Sequence, residues 1–147
     1  MRQNSLAFFI LFIVLGGCAT GKTPVANQAV DVSALDSNWS LLVVTLDEDG
    51  DKRVTRIWIA IANGVPAIRT NERRWWKNLE RDPAFHIRLD GVDYPVRAVE
   101  AVGEEDRIRI DEAFADKYGG WETLMFPQER GASHEHFAWV TWADETP

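Results

Sequence analysis

Cysteine, histidine and net positive charge are all scarce in this sequence. Its 147 residues include one cysteine and three histidines, too few for a disulfide scaffold or a cysteine-rich zinc site. Its 16 basic residues are outnumbered by 23 acidic ones, for a net charge of −7. This charge excludes sequence-independent electrostatic binding to nucleic acid. Hydrophobic residues make up 46% of the chain and include seven Trp and seven Phe. The sequence is therefore expected to fold as one domain with a substantial core.

The hydrophobic run at the N-terminus, Leu6–Leu15, is too short to cross a membrane. Ten helical residues span about 15 Å, whereas the hydrocarbon core of a bilayer is about 30 Å thick. A short apolar run behind the positive charge of Arg2 is typical of a secretory signal. The segment that follows it, Leu15-Gly16-Gly17-Cys18, resembles the lipobox of bacterial lipoproteins, in which the signal is cut before the cysteine and the cysteine is diacylated.

These observations predict three segments: a lipoprotein signal peptide over residues 1–17, a lipidated flexible tether over 18–36, and a folded domain over 37–147. Two acyl chains on Cys18 would anchor the chain stably in a membrane. The residue after Cys18 is Ala19 and not Asp, which, by resemblance to the lipoprotein sorting rule of enteric-type bacteria, favours the outer membrane. We therefore expect a lipid-anchored protein of the bacterial cell envelope that faces the periplasm.

Hydropathy and turn signals in the remaining sequence predict six strands and two helices. The strands are Ser40–Leu46, Arg53–Ala62, Val65–Thr70, Ala84–Leu89, Val92–Val102 and His136–Trp142. The helices are Glu72–Arg81 and Glu104–Tyr118, the second of which is expected to end at Gly119-Gly120. This order predicts an α+β fold with a mainly antiparallel sheet or small barrel.

The dipeptide Asn63-Gly64 predicts a tight hairpin and, with it, a strand register. In that register Ala62 faces Val65, Trp58 faces Arg69, and Arg56 faces Asn71. Arg56, Trp58 and Arg69 then share the face opposite the core, next to the start of the predicted helix at Glu72. Arginine side chains at a helix N-terminus suit a phosphate group; alternatively, Trp58 and Arg69 form a cation–π pair on a sheet surface.

Positive charge is concentrated around this hairpin. Between Lys52 and Arg88 there are nine basic and three acidic residues, although the chain as a whole is acidic. A local basic region in an acidic protein indicates a site for a small anion rather than for a polyanion. The pair His134 and His136 lacks a third ligand, so no metal site is predicted.

Several sequence segments occur in an order that resembles a known family. They are Arg53–Ile61, Ile68-Arg69-Thr70, Trp75–Leu79 with Asp82-Pro83, Gly91–Val102 and Lys117-Tyr118-Gly119. Together they resemble the FMN-binding split-barrel superfamily, nearest to its deazaflavin-dependent nitroreductase-like and DUF2255 branch.

The resemblance implies a six-stranded split β-barrel, often a homodimer, with FMN or a deazaflavin (F420) at the barrel edge. Hydride chemistry would belong to that cofactor, so no catalytic residue is assigned. The implied cofactor-binding residues, taken with the hairpin register, are Arg56, Trp58, Arg69, Thr70, Asn71, Trp75 and Asn78.

Two functions are open at this point. The first is an envelope lipoprotein that binds a phosphorylated flavin-type cofactor and, if it is an enzyme, acts as an oxidoreductase. The second is a non-catalytic, cofactor-free lipoprotein that binds a small anionic ligand or a protein partner.

Overall fold

The computed structural model describes residues 22–125 and 134–143. Within these ranges the chain forms seven strands and three helices. The strands are β1 (Leu41–Leu46), β2 (Lys52–Ile57), β3 (Ala60–Ala62), β4 (Val65–Thr70), β5 (Ala84–Leu89), β6 (Val92–Glu100) and β7 (His136–Trp142). The helices are α1 (Val32–Ser37), α2 (Arg74–Arg81) and α3 (Glu104–Met125).

The strands form one antiparallel sheet in the order β2-β1-β5-β6-β7-β4-β3. β2 and β3 lie at opposite edges, yet only Trp58 and Ile59 separate them in sequence. A flat sheet of seven strands would place its edges about 29 Å apart, whereas three Cα–Cα steps span at most about 11 Å. The sheet therefore curls into a half-barrel, and the expected α+β split-barrel class is confirmed.

The predicted strand Arg53–Ala62 is wrong as a single strand, which explains why seven strands replace the expected six. The hairpin register is confirmed near the turn, where Ala62 pairs with Val65. It is wrong further out, because the chain leaves this hairpin at Ile59 and Arg56 pairs with Leu42 of β1 instead of Asn71.

The crossing between the two sheet edges is held by α3. The Tyr118 hydroxyl lies 2.8 Å from the carbonyl oxygen of Ile59 and 3.0 Å from that of Trp39, and it accepts a hydrogen bond from the Ile59 N–H at 3.3 Å. Lys117 Nζ donates to the carbonyls of Ile59 at 3.0 Å and Leu35 at 3.3 Å. These side chains pair backbone groups that would otherwise be buried without partners.

The expected end of the second helix at Gly119-Gly120 is wrong, because α3 continues to Met125. Neither glycine has a positive φ. The helix is held on both sides of the pair, since Tyr118 is buried and the Trp121 ring lies 6.0 Å from that of Trp39. Such packing offsets the cost of a helical glycine, about 1 kcal/mol.

The folded part begins before the predicted boundary at Ser37, because α1 starts at Val32. This helix was not predicted, and with it the structure has three helices among the described residues where two were expected. Leu35 on this helix is fully buried, and Val30 before it belongs to the same core. Asp31 caps α1 by accepting a hydrogen bond from the Ser33 N–H at 2.9 Å. The predicted signal peptide and Cys18 lie outside the described residues.

The core has two parts. One fills the curled sheet and contains Ile59, Ile68 and Ile87, and the other lies beneath α3 and contains Phe114 and Tyr118. In the part of the chain that the structure describes, no helix is both long and apolar enough to span a bilayer.

Candidate functional site

A groove of about 410 Å³ opens at the split in the barrel, where the end of β2 faces the end of β4. Its walls come from β2, β4, the start of α2, α3 and the residue two before β7. The lining residues are Thr55, Arg56, Ile57, Trp58, Arg69, Thr70, Asn71, Arg73, Trp75, Phe114 and His134. Pockets for cofactors and small ligands have volumes of this order.

Six of the seven predicted site residues line this one groove, and only Asn78 does not. They are Arg56, Trp58, Arg69, Thr70, Asn71 and Trp75. The hairpin register that placed Arg56, Trp58 and Arg69 together is wrong beyond Ile59, but curling of the sheet brings β2 and β4 together across the split.

The amide of Asn78 holds α2 against the β1–β2 turn and does not reach the groove. Asn78 is buried, and its Nδ2 donates to Thr45 Oγ1 at 2.9 Å and to Asp47 Oδ1 at 2.8 Å. Asp47 also accepts two hydrogen bonds from Arg53 and one from Arg74, each at 2.9 Å. The Arg53 guanidinium, followed by the Asn78 amide, lowers the pKa of Asp47 well below its usual range. Arg74 begins α2, so this network positions the helix end that borders the groove.

Arg56 presents a positive charge at one side of the groove. Its side chain is exposed, and Nη1 donates to the neutral Ser40 hydroxyl at 2.9 Å. No carboxylate among the described residues forms a salt bridge with it. This guanidinium retains donors for an anionic ligand.

Arg69 is held very differently, although it lines the same groove. Its side chain is only 8% exposed and forms a salt bridge with Asp111 of α3. The Arg69 guanidinium also lies over the Phe114 ring, 4.5 Å from its centroid. The partner seen for this cation–π contact is therefore Phe114, whereas sequence reasoning paired Arg69 with Trp58.

Trp58 belongs to an aromatic cluster that extends from the groove to the surface. Its indole is stacked on the Tyr118 ring, with 4.6 Å between centroids and 10° between planes. Trp39 contacts both rings edge-on, at 6.5 Å from Trp58 and 5.0 Å from Tyr118. The cluster fixes the Trp58 side chain, and its half-buried indole lines the groove.

The start of α2 adds main-chain groups to the groove wall. Arg73 is the N-cap residue, and no side chain caps the helix there. Glu72, which was adjacent to the predicted anion site, forms a salt bridge with Lys77 at 2.5 Å. The Lys77 ammonium lowers the pKa of Glu72, and the unpaired N–H groups of a first turn favour a nearby anion.

Sequence reasoning missed Thr55, Ile57, Arg73, Phe114 and His134 as lining residues, and Asp111 as the partner of Arg69. Phe114 lies in the predicted helix Glu104–Tyr118, from which no site residue was expected. Alternation along the strand puts Thr55 and Ile57 on the face opposite Arg56, and no local signal places α3 beside β4. Among the described residues, no group of three His, Cys, Asp or Glu side chains is arranged to hold a metal ion.

Comparison with known proteins supports the fold. Residues 31–134 match the model of the family described as "Uncharacterized protein conserved in bacteria (DUF2255)". The conserved hypothetical protein Rv2991 from Mycobacterium tuberculosis is 18% identical, with a TM-score of 0.58 over 78% of both chains. No curated protein matches the sequence.

Two further solved structures of similar fold are of proteins named for a function. The F420-H2 dependent reductase FDR-A is 16% identical, with a TM-score of 0.53 over 71% of this chain and 94% of its own. HutZ, the heme storage protein from Vibrio cholerae, is 10% identical, with a TM-score of 0.54 over 77% and 87%. Identities this low establish a shared fold only.

Proposed function

The chain belongs to the DUF2255 family, and from that premise we propose that its groove binds a planar phosphorylated cofactor of the flavin or deazaflavin type. The observation that carries the proposal is the pairing, in one groove, of a partly exposed indole at Trp58 with an exposed guanidinium at Arg56. An aromatic side chain suits a flat ring system, and arginine suits a phosphate.

The groove residues fit such a ligand in chemistry and in size. Arg56 would hold the phosphate, because its charge faces only a neutral hydroxyl among the described residues. Trp58 and Thr70 would adjoin the ring system. When bound, a flavin or deazaflavin supplies hydride transfer, and the protein binds it, orients it and limits its contact with water. The reductase FDR-A shares this fold, which is consistent with the proposal.

A second candidate function is the cofactor-free binding of a small anionic ligand. It is favoured by the Arg69–Asp111 salt bridge, because that bridge removes one of the groove's charges from use by a large polyanionic cofactor. In this case the protein is a binding protein and not an oxidoreductase. The two functions differ in whether a chromophore occupies the groove.

Titration of the purified full-length protein in mild detergent with FMN, F420 and heme, followed by absorbance and fluorescence, separates these functions. We expect FMN or F420 to bind, and Arg56→Gln to weaken that binding by about tenfold or more, as loss of a charged hydrogen bond predicts. Arg97→Gln is the charge-matched control, because Arg97 is exposed on β6 outside the groove.

Binding of heme alone would replace the flavin proposal with a heme-binding one, in which His134 is the groove side chain able to ligate iron. Absence of binding by all three compounds would favour the cofactor-free function. Equal effects of the Arg56 and Arg97 substitutions would remove Arg56 from the site.

We also propose that the protein is an envelope lipoprotein anchored through Cys18 in the outer membrane and that it functions as a homodimer. The support for anchoring is the sequence Leu15–Cys18, and homodimers are common in proteins that the sequence resembles. Sedimentation of the detergent-solubilised protein measures the oligomeric state directly, and a monomer at micromolar concentration would contradict the dimer.

A further inference from the structure

The start of α2 borders the groove but lacks the local features that usually stabilise a helix N-terminus. The helix has only eight residues, Arg74–Arg81, and a helix of this length is marginal on its own. Its N-cap residue, Arg73, makes no side-chain cap hydrogen bond, and the first turn contains no acidic residue. Arg74 instead places a positive charge at the positive end of the helix dipole, which is unfavourable. This helix start therefore depends on contacts from outside the helix.

Asp47, in the turn after β1, supplies the negative charge that the start of α2 lacks. Its side chain is only 9% exposed, and its carboxylate accepts hydrogen bonds from Arg74 Nη2 at 2.9 Å and from Asn78 Nδ2 at 2.8 Å. These two donors are four residues apart, about one turn of helix, so one carboxylate contacts two successive turns of α2. Arg53 of β2 donates two further hydrogen bonds to it, each of 2.9 Å. Asp47 thus joins the helix start to the β1–β2 hairpin.

Three of the residues that line the groove lie on either side of Arg74 in sequence. They are Asn71, Arg73 and Trp75. Trp75 is also packed in the core inside the curled sheet, so its position has a second source of support. Asn71 and Arg73 precede the helix, and their position depends on where the helix begins. The contact between Asp47 and Arg74 therefore bears directly on this wall of the groove.

We propose that Asp47 is a positioning residue for the groove: by binding Arg74 and Asn78 it fixes the uncapped start of α2 and the groove wall that begins there. Asp47 does not line the groove, so it acts through the helix. An aspartate at the cap position would stabilise the same helix end, but it would add a negative charge where an anionic ligand is to bind. The effect on ligand affinity rests on the proposed function, whereas the effect on the helix start does not.

The first test compares FMN binding by the full-length protein in mild detergent, by Asp47→Asn and by a matched control, Asp93→Asn. Asp93 is also a buried carboxylate that accepts two hydrogen bonds from an arginine, and it lies on β6 outside the groove. We expect Asp47→Asn to weaken FMN binding by about tenfold, and Asp93→Asn to change it by no more than about twofold. Urea midpoints of both variants place their stability losses on one scale.

The sign of the change separates positioning from a simple charge effect. Removal of a negative charge near the groove would strengthen the binding of an anion, whereas loss of positioning weakens it. Unchanged or tighter FMN binding by Asp47→Asn would therefore overturn the proposal. Equal weakening in Asp47→Asn and Asp93→Asn would overturn it as well, because affinity would then follow overall stability.

Arg74→Gln tests the route from Asp47 to the groove. The Arg74 side chain is 66% exposed and does not line the groove, and glutamine has a similar helix propensity. We expect this variant to weaken binding of both FMN and uncharged riboflavin by about fivefold. The double variant with Asp47→Asn should bind FMN within about twofold of Asp47→Asn alone, because the two changes remove one contact. Fully additive losses, or a loss confined to FMN, would overturn this route.

Hydrogen exchange measures the helix start without any ligand. The Trp76 and Lys77 N–H groups donate to the Arg73 carbonyl at 3.0 and 3.1 Å, so their exchange rates report opening of the first turn. Asp47→Asn should accelerate their exchange by about tenfold, and Asp93→Asn by no more than about twofold. If FMN does not bind the native protein, the proposed function fails and this measurement alone decides. Equal acceleration in both variants, or none in Asp47→Asn, would overturn the role of Asp47.

Discussion

Removal of the Tyr118 hydroxyl tests how the barrel is closed. Tyr118→Phe keeps the ring that stacks on Trp58 but removes the acceptor for the Ile59 N–H and the group that lies near the Ile59 and Trp39 carbonyls. The Ile59 carbonyl still receives Lys117 Nζ at 3.0 Å. The loss that matters is therefore the Ile59 N–H, in a residue that is fully buried.

A buried donor left without a partner costs about 1–3 kcal/mol. With an ordinary urea dependence for a small domain, the unfolding midpoint of Tyr118→Phe should fall by about 1 M. Tyr94→Phe is the matched control, because the Tyr94 hydroxyl makes no side-chain hydrogen bond among the described residues. A loss below about 0.5 kcal/mol for Tyr118→Phe, or an equal loss in the control, would refute this account of the crossing.

Alkaline pH gives a second measure of the same hydroxyl. Burial raises the pKa of Tyr118 to about 12, whereas tyrosine in the unfolded chain titrates near its ordinary value of about 10. The stability contributed by the buried neutral phenol is therefore complete below about pH 10 and is lost as the pH rises toward 12. The stability advantage of the native protein over Tyr118→Phe should shrink over this range; a constant difference would contradict the assigned pKa.

Three other predictions concern stability at acid pH, two glycine substitutions and the N-terminal cysteine. Asp93 is buried and forms a salt bridge with the half-buried Arg88, with hydrogen bonds of 2.6 and 2.9 Å, so Asp93→Ala should lower the free energy of unfolding by about 2–3 kcal/mol. Arg88 lowers the pKa of Asp93, so this contribution should be present above the ordinary aspartate pKa and should disappear as the pH falls through the lowered one, measured by denaturation at stepped pH. Gly64→Ala should destabilise by about 1 kcal/mol because φ is +81° with no atom near the added methyl, whereas Gly120→Ala in α3 should stabilise by about 0.5–1 kcal/mol. Cys18→Ser should abolish palmitate labelling and move the protein from the membrane to the soluble fraction; retained labelling would contradict the lipidation proposal.

Local sequence signals predicted the elements that local physics controls. Asn63-Gly64 predicted its turn, and both residues have positive φ. Ala84–Leu89 was predicted with its observed bounds, because a β-branched and aromatic run between Asp82-Pro83 and Asp90-Gly91 leaves few alternatives. The choice of Arg56, Trp58, Arg69, Thr70, Asn71 and Trp75 as neighbours also came from sequence, through alternation and the family resemblance.

Long-range pairing decided what those signals left open. The strand predicted over Arg53–Ala62 is interrupted at Trp58-Ile59, although neither residue is one that usually ends a strand. The interruption arises because the chain crosses there between the two edges of a curled sheet. In isolation, Gly119-Gly120 predicts the end of a helix. In the structure α3 continues past this pair, because Tyr118 and Trp121 pack on Trp39. Helix propensity amounts to about 1 kcal/mol here, which tertiary contacts readily exceed.

The amino-acid sequence by itself determined the fold class, most of the strand segments, the basic region and most of the groove's residues, because hydropathy period, turn chemistry and charge are properties of neighbouring residues. Only the tertiary structure decided which charges are available: it sends Asn78 to Asp47, pairs Arg69 with Asp111 and leaves Arg56 beside a neutral hydroxyl. Whether an arginine binds a ligand or its own protein depends on which distant carboxylate reaches it, and that is settled when α3 packs against the curled sheet.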